Sequence, residues 1–80
     1  MKSIHIQYFA MLREKSGTEK EVIETNAQTY SELYLELSKR HDFDLSVSMI
    51  QVAVNDEFVD KNQNVVGGAR VVFIPPVAGG

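Results

Sequence analysis

"TYSELYLELSKR", Thr29 to Arg40, is the stretch that decides how this chain folds. Thr29 and Glu32 have the spacing of a capping box: the threonine hydroxyl can accept from the N–H of the third helical residue, and the glutamate can reach back. Tyr30, Leu33, Tyr34, Leu37 and His41 then recur at helical spacing. Lys39 and Arg40 stand where a helix dipole favours positive charge. The pattern predicts one helix from about Tyr30 to Arg40. A single amphipathic helix must bury its apolar stripe against another layer, so the remaining chain should supply a sheet.

It does, by parity. From Ser3 to Phe9, Ile4, Ile6 and Tyr8 point one way and Ser3, His5, Gln7 and Phe9 the other. "AMLREKSGT" follows as a loop, with Gly17 as its turn signal. Glu19 to Thr25 reads as a second strand, centred on Val22 and Ile23 and paired with the first in hairpin fashion. After the helix, Met49 to Asn55 alternates, with Ile50, Val52 and Val54 on one side and Gln51, Ala53 and Asn55 on the other. Asn55 to Glu57 is a turn, Phe58-Val59 a short return strand, and Gly67-Gly68 a turn before the last strand, Arg70 to Ile74. Pro75 and Pro76 end that strand, because proline cannot donate to a ladder. The first and last strands carry the longest apolar runs and belong side by side at the centre, parallel, since no hairpin can join them. The expected fold is α+β: a ubiquitin-like β-grasp, a mixed sheet of four to five strands with one main helix on one face. Residues 1–74 form the domain, and residues 75–80 a flexible Gly-Gly tail.

Composition narrows the function. Eighty residues make one domain with little room for a deep pocket. A net charge of −3, with Lys and Arg scattered, lacks the basic stripe of a nucleic-acid binder and suits a basic protein surface. No cysteine means no disulfide, thiolate metal site or thiol nucleophile, which makes the cytoplasm the expected location. No run approaches the roughly 20 apolar residues of a membrane span.

The side chains argue against an enzyme. His5 and His41 have no companion ligands at metal spacing, so no metal is expected. No serine sits in a nucleophile motif, and Gly67-Gly68 lacks the Lys-Ser/Thr of a phosphate loop. The charged run Arg13 to Glu21 reads as a solvated face. One reactive group remains, the α-carboxylate of Gly80. Val77 and Ala78 would give the tail modest grip. Gly79 and Gly80, without side chains, would pass a narrow tunnel in another protein. From Pro76 such a tail reaches about 17 Å when extended. Phe9, Phe58, Val72 and Ile74 fall on the parity opposite the core, and exposed apolar patches mark interfaces.

Three segments then carry a resemblance across nearly the whole chain. "YFAMLREKSGTEKEV", "VAVNDEFV" and "VVFIPPVAGG" resemble the small subunit of molybdopterin synthase, a ubiquitin-like sulfur carrier. The resemblance implies that an adenylyltransferase of the ubiquitin-activating type uses ATP to adenylate Gly80, and that a sulfur donor converts it to a thiocarboxylate. Gly79 would thread the large synthase subunit, where sulfur passes to cyclic pyranopterin monophosphate. No cofactor would be bound by the chain itself, and catalysis would lie on the partner. Phe9, Phe58 and Ile74 match the family's hydrophobic contact positions, and Arg13 its first-loop "RE". The sequence departs from the family at "VGGARV", where an acidic turn is common, and at Ile74, where an aromatic is common. Relatives that serve thiamine synthesis, cysteine synthesis or tRNA thiolation, and protein modifiers, share the same terminal chemistry. A plain binding module with an idle tail is the remaining reading.

Overall fold

The computed structural model describes residues 1–76; Val77, Ala78, Gly79 and Gly80, which carry the expected tail chemistry, lie outside the described residues. The elements run β1 (Lys2–Tyr8), α1 (Ala10–Ser16), β2 (Lys20–Thr25), α2 (Tyr30–His41), β3 (Gln51–Val54), β4 (Glu57–Val59) and β5 (Arg70–Ile74), with a 3₁₀ turn at Val47–Met49 before β3. The sheet order is β2-β1-β5-β3-β4. β1 pairs antiparallel with β2 and parallel with β5, while β3 pairs antiparallel with both β4 and β5. This is the expected β-grasp, with the first and last strands parallel at its centre.

Parity and helical period converge on one core. Ile4, Ile6 and Tyr8 of β1, Val52 of β3 and Val71 and Phe73 of β5 are buried on the face that α2 covers. Leu33, Tyr34 and Leu37 of α2 are each 0% exposed, and burial of such side chains is worth about 1.5–3 kcal/mol apiece. The Tyr34 hydroxyl keeps a partner by donating to the Leu45 carbonyl at 2.8 Å, and burial pushes its pKa up. At the start of α2, Thr29 Oγ1 accepts from the Glu32 N–H at 3.2 Å. Glu32 reaches back one residue beyond the cap, to the Gln28 N–H at 2.7 Å.

Two readings of the sequence need correction. The stretch after β1 is not a loop but the short helix α1, with Leu12 as its buried residue. It ends at Gly17, whose φ of 78° is the left-handed conformation that glycine adopts without strain and whose N–H bonds the Arg13 carbonyl. Val22 is not part of an apolar centre: β2 buries Ile23 and turns Val22 outward, 62% exposed. The turn after β3 is as expected. Asn55 and Asp56 both have positive φ, 51° and 74°, as a tight two-residue hairpin turn requires.

His41 closes the last turn of α2, and its Nε2 lies 2.8 Å from Glu21 Oε2, which also accepts the Tyr8 hydroxyl. The Tyr8 and His41 rings meet edge to face at 5.6 Å. The cluster joins β1, β2 and α2. Burial alone pushes the Glu21 carboxyl up, but the hydrogen bonds from Tyr8 and His41 and the charges of His41 and Arg40 outweigh it, leaving it below the usual carboxylate value. Burial, with the Glu21 bond added, pushes the Tyr8 hydroxyl far above its ordinary range. A folded carboxyl that binds its proton less readily than the unfolded one stabilises the fold above the unfolded pKa and loses that stabilisation in acid. Denaturant unfolding from about pH 7 to about pH 3 should therefore show a fall in stability below about pH 4 that Glu21→Gln flattens. Parallel pH curves for the two proteins would contradict this.

Candidate functional site

The helix covers one face of the sheet and leaves the other open. Strand register sets Lys20, Gln7, Val72, Ala53 and Phe58 in one row across that open face. Ile74, opposite Gln51, lies two residues beyond Val72 on the same side. Phe9 stands just past the end of β1, which runs parallel to β5, so it lies toward the same end as Ile74. The face is thus divided. Phe9, Ile74, Val72, Ala53 and Phe58 make its apolar part, while His5, Arg70 and Asn55 make its far end polar. Arg70 there is held by Asp56 at 2.6 Å, and its N–H bonds the Asn55 side chain at 3.0 Å.

The apolar positions differ in what they offer. Phe58 is 70% exposed and Phe9 44% exposed, while Val72 and Ile74 are half-buried. A phenylalanine held outward on a three-residue edge strand buries little of its ring among the described residues. Arg13 is exposed and reaches Glu19 at 3.4 Å, and its backbone N–H bonds the Phe9 carbonyl one helical turn back.

At the end of β5 the chain leaves the sheet through a hollow of about 220 Å³ lined by Met49, Gln51, Ile74, Pro75 and Pro76. Pro75 is buried and Pro76 exposed, so the last described residues pass from the fold into solvent. The apolar row and the exit lie at the same end of the sheet. Met49, 51% exposed beside this exit, was not singled out from sequence. Its parity with Gln51 and Ala53 was the available signal, but the 3₁₀ turn that presents it is not written in that alternation.

Among the described residues, no group of three His, Asp or Glu side chains is placed to hold a metal. No described helix is long and apolar enough to cross a membrane.

The model of the ThiS family matches residues 6–80, which takes in nearly every element of the sheet and the end of the chain. The chain belongs to the ThiS family. That places it among the ubiquitin-like sulfur carriers, the class that its sequence resembles. No curated protein sequence matches it. Among solved structures, this ThiS-family chain is similar to a Pyrococcus furiosus protein described as molybdopterin converting factor, subunit 1, at 25% identity and a TM-score of 0.77, over 96% of this chain and 100% of that one. It is similar to small archaeal modifier protein 1 of Haloferax volcanii at 20% identity and a TM-score of 0.79, over 96% and 100%. It is also similar to a chain in the complex of subunits 1 and 2 of molybdopterin-converting factor from Helicobacter pylori, at 23% identity and a TM-score of 0.66, over 98% and 99%. The last two likenesses are likenesses of fold.

Proposed function

We propose that this ThiS-family chain is the sulfur-carrier subunit of a molybdopterin synthase. Gly80 is adenylated by a partner enzyme at the expense of ATP and then converted to a thiocarboxylate. The sulfur is delivered to cyclic pyranopterin monophosphate inside the large subunit. The observation that carries this reading is the apolar row on the open sheet face, Phe58 to Ile74, set at the end of the sheet where Pro75 and Pro76 release the chain. A partner that grips the row receives whatever follows Pro76 beside its own surface. Phe9, Phe58 and Ile74 anchor the partner, Arg13 contributes at the rim, and Val77 to Gly80 thread its tunnel. The chain is a carrier without catalytic side chains of its own, working in the cytoplasm. The likeness to the Pyrococcus furiosus subunit and the "FIPPVAGG" ending favour this branch over thiamine synthesis and tRNA thiolation.

The pathway is tested by acceptor choice. The chain, made with a C-terminal thiocarboxylate, is offered in parallel to a molybdopterin synthase large subunit with cyclic pyranopterin monophosphate, to a thiazole-forming enzyme and to a tRNA-thiolating enzyme. The dithiolene product should form in the first reaction alone. Product in one of the others instead would reassign the pathway, and isopeptide-linked species in extract would make the chain a protein modifier.

A further inference from the structure

We propose that β2 is a self-complementary edge through which two copies of this chain associate, making one continuous sheet across a two-fold axis at Val22. Among the described residues, β2 is the outermost strand and pairs with β1 alone. The Tyr8 N–H donates to the Glu19 carbonyl at 2.9 Å, which makes these opposed residues a hydrogen-bonded pair. Such pairs recur at every second residue of an antiparallel ladder. Glu21, Ile23 and Thr25 therefore direct their N–H and C=O groups at β1. Lys20, Val22 and Glu24 direct theirs away from the sheet. The other side of β1 agrees: the His5 N–H bonds the Ala69 carbonyl at 3.0 Å, so His5 faces β5 and its neighbours Ile4 and Ile6 face β2. The Lys20 carbonyl accepts the Thr18 hydroxyl at 2.8 Å and keeps a second lone pair for another donor.

The same three residues present exposed side chains on the open face. A charge on an edge strand ordinarily blunts it against pairing. Here the charges are opposite in sign and stand two residues either side of an exposed valine. Antiparallel pairing about Val22 sets Val22 against its counterpart, Lys20 against Glu24 and Glu24 against Lys20. Each of these is a hydrogen-bonding position, so backbone and side chains agree on one register. A shift of two residues loses both charge pairs, and a parallel arrangement sets lysine beside lysine. The two-fold axis stands perpendicular to the sheet, so both open faces lie on one side. Phe58, on the opposite edge, stays uncovered in each copy. The association does not depend on the sulfur-carrier reading.

Sedimentation equilibrium from ~10 µM to ~1 mM measures it, with amide exchange at the two ends of the range. The expected result is a weak dimer in which the amides of Lys20, Val22 and Glu24 gain protection with concentration, while those of Glu21, Ile23 and Thr25 do not change. Lys20→Glu and Glu24→Lys each place like charges opposite one another and should weaken dimerisation about tenfold. Mixed together, the two variants are complementary again and should form a heterodimer at the wild-type strength. Unprotected amides at Lys20, Val22 and Glu24 at the highest concentration would overturn the proposal. So would a mixture that associates no better than either variant, or protection that appears only when a different protein is added, which would assign the edge to that protein.

Discussion

Replacing Phe58 with threonine is expected to weaken binding of the partner subunit by about 30-fold or more while leaving the fold intact, since buried aromatic anchors at interfaces carry about 2–4 kcal/mol each. Phe58 is 70% exposed and lies on the edge strand β4, opposite Ala53. The ring therefore gives up little packing in the free chain when it is lost. Threonine keeps the branched geometry that strands favour, so the stability change should stay within about 0.5 kcal/mol. Calorimetric titration against the large subunit, with a thermal melt of each variant, separates the two effects. Unchanged affinity would remove Phe58 from the interface. A large drop in melting temperature would instead make its role structural.

The contrast with Phe73 shows why adjacent parts of this sheet must be read differently. Phe73 is 0% exposed and meets the Tyr34 ring at 5.4 Å, whereas its neighbours Val72 and Ile74 belong to the open side. That division was legible from sequence, because a strand's side chains alternate and one long helix, α2, can cover only one face. α2 was legible for a similar reason: Thr29 and Glu32 mark its start, and four buried residues at helical spacing mark its inner side. α1 was not. It is seven residues long, has no side-chain cap at Phe9 and buries only Leu12, so no period can show. Helices so short draw their stability from the fold around them and not from local propensity.

The tie between Glu21 and His41 was hidden for a different reason. The partners stand 20 positions apart on separate elements, and only the packing of α2 across β1 and β2 brings them together. The turn at Asn55-Asp56 was legible because its residue types tolerate positive φ. Of the candidate site, the sequence revealed the face, through the parity of Phe58, Val72 and Ile74. It did not reveal Met49 at the exit, which depends on how a 3₁₀ turn enters β3. The terminal chemistry was read from residue types and from family resemblance.

Deleting Gly80 is the second change with a large expected effect: it should abolish sulfur loading, because the new terminal carboxylate, on Gly79, ends one residue, about 3.5 Å, short of the place where the partner enzyme adenylates it. The sheet and its hydrogen bonds among residues 1–76 should be untouched, so partner binding through Phe58 should persist in part. A protein that binds yet cannot be loaded would separate the carrier role from the docking role. Loss of both together would mean that most of the affinity lies in the tail.

The most direct measurement is the intact mass of the full chain after incubation with a ubiquitin-activating-type adenylyltransferase, ATP and a sulfur donor, beside the Gly80-deleted chain treated alike. A thiol-selective tag distinguishes sulfur at the terminus from oxidised methionine, which changes the mass almost equally. The expected result is a gain equal to one sulfur replacing one oxygen, taggable and dependent on both ATP and Gly80. An unchanged mass with an enzyme that loads its own carrier would contradict the assignment of this protein as a sulfur carrier, and the same taggable gain in the chain lacking Gly80 would contradict the assignment of Gly80 as the loaded residue.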